Sequence, residues 1–108
     1  MSRRAWIFIG VFVLSIVSAE TLPAAKGVVI LNKSGCDFFV AETSGGYALL
    51  EWYGGNDPYE GDTIVGDYEA YGFKDIYNTT RDAELKVWVE DYWLSKSSVL
   101  EKYHEKCE

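Results

Sequence analysis

Histidine occurs once in this chain, at His104, and cysteine twice, at Cys36 and Cys107. That scarcity excludes a cysteine-rich zinc module, because structural zinc takes four Cys or His side chains. The three residues together would leave one position unfilled and have the wrong spacing, so no metal site is expected. The two cysteines are also far from the C-x-x-C arrangement of a redox pair. The chain lacks a G-x-S-x-G elbow, a phosphate-cradling P-loop and an H-E-x-x-H zinc helix. No cofactor and no enzymatic activity are expected. A length of 108 residues excludes a multidomain enzyme and a multi-helix membrane protein. Positive charge is scarce as well: ten Lys and Arg stand against 17 Asp and Glu. A surface of that sign repels nucleic acid and anionic membranes.

The first residues carry a targeting pattern. Arg3 and Arg4 precede an uncharged run from Ala5 to Ala19 whose centre is Trp6-Ile7-Phe8-Ile9 and Val11-Phe12-Val13-Leu14. The run closes on Val17-Ser18-Ala19, with small or slender residues where a signal peptidase acts, and Glu20 follows. Charged, apolar and cleavage regions in this order form a secretory signal peptide. The run falls short of the roughly 20 apolar residues that span a bilayer, so cleavage after Ala19 is expected rather than a permanent anchor. Arg3-Arg4 resembles a twin-arginine signal, but the following segment is very apolar and no cofactor motif is present, which favours the Sec route. Lys33 stands where a lipobox ending in Ser34-Gly35-Cys36 needs Leu, so lipidation is rejected. The expected division is a signal peptide over 1–19, a tail over 20–26 and a single domain over 27–108.

Removing Arg3 and Arg4 leaves eight basic against 17 acidic side chains, a net charge of −9. Both cysteines remain, and an exported protein with an even cysteine count most simply forms one disulfide. Bridging Cys36 to Cys107 would close nearly the whole domain into a loop, worth about 4 kcal/mol in loop-closure entropy.

Apolar residues in the mature part mostly alternate with the two-residue period of strands. Gly27–Leu31, Cys36–Glu42 and Tyr47–Tyr53 read as the first three, the last two joined by a hairpin at Thr43-Ser44-Gly45-Gly46. The second and third carry apolar side chains on both faces, as expected where a sheet curls or a helix covers it. Gly54-Gly55-Asn56-Asp57-Pro58 breaks the pattern, and Gly61–Gly66 reads as the entry to a short strand. Tyr71–Tyr77 is a fifth, with Tyr71, Phe73 and Tyr77 on one side. In Glu84–Tyr92, Leu85, Val87 and Val89 point inward while Lys86, Trp88, Glu90 and Tyr92 point the other way. Ser98 with Glu101 three residues later is a capping box for a short helix. Along it Val99, Tyr103 and Cys107 share one face, with Leu100 beside them. The expected class is mainly β: a small five- to six-stranded barrel, OB-like or SH3-like, with one short C-terminal helix.

Cys36–Glu42, Gly46–Gly55, Gly61–Asp67, Tyr71–Tyr77 and Val87–Tyr92, continuing to Cys107, resemble small exported bacterial β-barrel proteins. The resemblance implies a periplasmic setting and a barrel fold, and it supplies no catalytic residues.

Asn56, Asp57, Glu60 and Asp62 form an acidic loop, but the EF-hand spacing is absent and Pro58 and Tyr59 interrupt it. A polar turn is the expected state. Asn32-Lys33-Ser34 and Asn78-Thr79-Thr80 match the N-glycosylation pattern, which matters only in a eukaryotic host. Three Trp, eight Tyr and three Phe remain after residue 20. Most must fill a core short of Leu and Met. Trp52, Tyr53 and Tyr59 flank the glycine-rich loop, and Trp88 and Tyr92 lie on the mixed face of the last strand. Exposed beside Asp57, Glu60, Asp62 and Glu90, they would make an acidic aromatic patch suited to a cationic protein or to sugar rings. The expected function is a non-enzymatic exported binding module with a cationic partner, without nucleic acid or stable membrane insertion. A structural or stress-related envelope protein is the alternative, and it expects Trp52, Tyr59 and Trp88 all to be buried. A carboxylate-dependent hydrolase would require two facing carboxyl groups in a cleft.

Overall fold

The computed structural model describes residues 24–107. The signal-peptide reading and the cleavage point therefore lie outside the described residues. Among those described, no helix is long and apolar enough to cross a membrane.

Six strands and one helix follow in order: β1 (Ala25–Leu31), β2 (Phe38–Thr43), β3 (Gly46–Gly55), β4 (Thr63–Gly66), β5 (Gly72–Asn78), β6 (Ala83–Leu94) and α1 (Lys96–Cys107). β1 begins two residues inside the segment read as a tail. The strands close into a barrel in the order β1-β2-β3-β6-β5-β4, and every pairing is antiparallel. Two three-stranded meanders thus join along β3–β6 and β1–β4. Closure leaves no free sheet edge among the described residues. The mainly β barrel with one C-terminal helix is the class that the alternation and the late change of period predict.

The interior is filled by alternate residues. Val29, Phe39, Ala41, Ala48, Leu50, Ile64, Tyr68, Ile76, Leu85, Val87 and Val89 form one buried cluster, so β6 points its Leu85–Val87–Val89 series inward as its period requires. A second cluster lies outside the barrel, where Val40 and Leu49 meet Val99 and Tyr103 of α1. That contact explains the apolar residues on both faces of β2 and β3: one face fills the barrel and the other receives the helix. Cys107 is bonded to Cys36, with Cα atoms 5.6 Å apart. The helix start differs from expectation. It begins at Lys96, where β6 has just ended at Leu94, and the Ser98 N–H donates to Ser95 Oγ at 3.2 Å. Ser95 is the cap because it is the first serine free of the strand.

Two glycines are required by close approach. A Cβ on Gly66 would lie 2.5 Å from Ile76 Cγ2, and one on Gly27 would lie 2.5 Å from both Glu42 O and the Tyr68 hydroxyl. Tyr68 is buried and donates to Ile64 O at 3.2 Å, and burial pushes its pKa far above the ordinary phenol value. Gly66→Ala is expected to destabilise the barrel by about 2 kcal/mol through overpacking. Gly54→Ala should cost far less, because open space surrounds that position. Thermal melts of the two variants check the difference.

Candidate binding surface

The outer surface of the barrel is built where β6 crosses between β3 and β5. Trp88 stands opposite Glu51 of β3 and Phe73 of β5. Phe73 packs edge-on against Trp88 at 4.9 Å and against Tyr53 at 4.9 Å. Tyr53 and Phe73 are exposed and Trp88 is half-buried, so the three rings form a wall that faces solvent chiefly through the first two. Such tilted arrangements are the favoured geometry for aromatic pairs. Further along β6, Tyr92 contacts Tyr71 at 4.8 Å and Trp93 at 5.2 Å.

Charge borders these rings. Lys86 pairs with Asp75 at 3.1 Å, Lys74 with Asp67 at 3.6 Å, Lys102 with Asp91 at 3.8 Å and Lys106 with Glu90 at 3.6 Å. The last two tie α1 to β6, although pairs this exposed contribute little stability. Tyr71 donates to Asp91 Oδ1 at 3.3 Å, and the Asp91 carboxylate holds the Tyr71 phenol protonated above its usual range. A shallow cleft of about 310 Å³ runs beside the wall, lined by Tyr53, Gly54, Gly55, Asp75, Glu84, Leu85 and Lys86.

The nine residues expected to share one patch separate into different places. Tyr53 and Trp88 share the wall through Phe73, whereas Tyr92, expected to point outward with Trp88, packs against the barrel interior because a bulge between Val89 and Asp91 shifts the phase of β6. Trp52 turns inward: it packs against the barrel interior and donates its Nε1–H to Asn56 O at 3.0 Å. Asp57, Tyr59 and Glu60 line a different cleft, of about 380 Å³, with Asn32 to Asp37. None of Tyr53, Trp88 and Tyr92 borders it. There Asn32 donates its backbone N–H to Glu60 and its side-chain amide to Asp57 and to Pro58 O. Tyr59 is 65% exposed, with the Arg81 guanidinium 4.5 Å from its ring centre.

Asp62 is 2% exposed and works inside the fold. Its Oδ2 accepts from Asn78 Nδ2 at 2.8 Å, Tyr59 N at 3.0 Å and Arg81 Nε at 3.1 Å. The acidic loop is thus a set of turns held by its own side chains. Both glycosylation sequons are engaged in this network, since Asn78 is fully buried and Asn32 spans the loop. Among the described residues, no group of three or more His, Cys, Asp or Glu side chains is placed to hold a metal ion. His104 is exposed on α1.

Phe73, Tyr71 and Trp93 join these ring groups although they are not among the residues expected from the sequence. The alternation of Tyr71, Phe73 and Tyr77 along β5 (Gly72–Asn78) and the residue before it was the signal for the first two. For Trp93 the only signal was that Tyr92-Trp93 breaks the alternation of β6. Comparison with protein-family models, with curated proteins and with solved structures finds no match.

Proposed function

We propose that this is a non-enzymatic, exported binding module whose partner is a cationic protein, engaged on the outer face of β3, β6 and β5. The observation that carries the reading is the ring group in which Tyr53 and Phe73 are exposed and packed in line with the half-buried Trp88. Large rings gain from burial, and three of them held together at a surface form the kind of anchor that dominates interface energetics. Glu51 opposite Trp88, Glu84 in the cleft beside Tyr53, and the acidic excess of the whole chain favour a positively charged partner and repel nucleic acid. The periplasm is the compartment in which the signal sequence and the disulfide would both make sense. A purely structural envelope role expects Trp52, Tyr59 and Trp88 to be buried, and the exposed Tyr59 does not fit it.

The test is affinity capture from periplasmic extract on the immobilised protein and on its Tyr53→Ala/Phe73→Ala variant. A basic protein should be retained at low salt, released at about 0.5 M salt where charges are screened within a few ångströms, and held about tenfold less by the variant. A partner insensitive to salt, or retained equally by the variant, would count against the reading.

A further inference from the structure

Trp93 occupies a position that disfavours tryptophan twice over. Between the pairs Leu49↔Asp91 and Tyr47↔Leu94, β3 advances by two residues and β6 by three. β6 therefore carries a bulge, and Trp93 within it has φ +57°. A left-handed bulge position is one that glycine fills without strain, because a Cβ there crowds the following carbonyl. The same side chain is 63% exposed, so the chain also forgoes burying its largest kind of ring. Bulges re-aim side chains, and strain of this kind is found where a fixed orientation serves a site.

The surroundings indicate what the indole would meet. The β2–β3 hairpin backs it through glycines: a Cβ on Gly46 would lie 3.1 Å from Trp93 Cα. A Cβ on Gly45 would lie 3.4 Å from indole Cδ1 and Nε1, and 3.2 Å from Glu69 Oε2. The indole and the Glu69 carboxylate thus converge over Gly45. Thr43 Oγ1 holds that carboxylate at 3.0 Å, and Tyr92 fixes the indole edge. An aromatic face beside an anchored carboxylate is complementary to a planar cation, which stacks on the ring and pairs with the acid.

We propose that Trp93 and Glu69 form the receptor for an arginine side chain of the cationic partner. This rests on the reading of the protein as a binder of cationic protein surfaces and assigns the residue that it recognises. The probe is the peptide acetyl-Gly-Arg-Gly-amide at millimolar concentration, followed through the indole N–H resonances, with the citrulline peptide as neutral counterpart. The wild type should show a saturable shift of the Trp93 resonance with arginine only. Glu69→Gln should weaken it about threefold, and Trp93→Gly should abolish it. Trp93→Gly should also melt about 4 °C or more higher, since glycine relieves the strain; a residue kept for folding alone would give the opposite sign. The proposal is overturned by equal response to the citrulline peptide, by unchanged peptide binding in Trp93→Gly, by a lower melting point of that variant, or by no response of the wild type. In each of these cases a captured partner still lost with Tyr53→Ala/Phe73→Ala would leave the broader reading standing.

Discussion

Replacing Cys36 and Cys107 together by alanine is expected to lower the unfolding free energy by about 4 kcal/mol, following the loop-closure entropy of a bridge with this span. The bridged residues are 71 apart in sequence, so the reduced unfolded chain regains freedom along most of its length. Out of a total stability of about 5–15 kcal/mol for a domain of this kind, that is a large share. The loss should fall first on α1. A helix of 12 residues is marginal by itself. This one is held by Val99 and Tyr103 against Val40 and Leu49, by the Lys33 N–H donating to the Tyr103 hydroxyl at 3.0 Å, and by the bridge. Lys33 belongs to the loop that carries Cys36, so cutting the bridge also loosens that hydrogen bond. The double variant should melt at least about 15 °C lower, and α1 amides should exchange with solvent well before those of β6. A loss below about 1 kcal/mol, with α1 still protected, would show that packing alone secures the helix.

How far the fold was legible depends on whether the relevant contacts are local. β6 announced itself because Leu85, Val87 and Val89 alternate with charged or aromatic neighbours. The phase of α1 was legible from Val99, Tyr103 and Cys107 at four-residue spacing. The doubled apolar faces around Val40 and Leu49 announced a covering element. The ring order was not legible, because β3–β6 and β1–β4 pair strands distant in sequence and leave no local mark. Neighbouring aromatics were ambiguous for the same reason. Trp52 and Tyr53 point to opposite sides, and only the barrel decides which is buried. Trp93 was invisible because the bulge that turns it outward is a property of its pairing with β3. The acidic loop misled most: Asp62 looks like one more surface carboxylate until Asn78 and Arg81, 16 and 19 residues away, arrive beside it.

Asp62→Ala is expected to cost about 3 kcal/mol, the scale for removing one partner from a buried, charge-assisted network. The substitution takes one acceptor from the fully buried Asn78 amide, leaves the Tyr59 N–H without its partner and releases the Arg81 side chain. It also loosens the 56–62 loop on the turn between β5 and β6, leaving them joined there by Asn78, which donates from Nδ2 to Asn56 Oδ1 at 2.9 Å and accepts at Oδ1 from Arg81 N at 3.1 Å. The effect should depend on pH in a defined direction. Burial alone would raise the Asp62 pKa, but the hydrogen bonds from Asn78, Tyr59 and Arg81 and the Arg81 charge outweigh it and hold the carboxyl below its ordinary value. A folded pKa below the unfolded one, which is about 3.9, stabilises the protein above that value and ceases to do so as the pH falls through the folded pKa. The gap between wild type and Asp62→Ala should therefore be constant from pH 5 to 8 and shrink below about pH 4. Asp62→Asn keeps an acceptor and the shape but removes the charge, so its smaller loss at neutral pH should shrink as the pH falls below the unfolded carboxyl pKa. Urea midpoints at pH 7 and pH 3 measure both gaps. An Asp62→Asn gap of the same size at the two pH values would show that the ionised carboxylate contributes nothing to holding this end of the barrel.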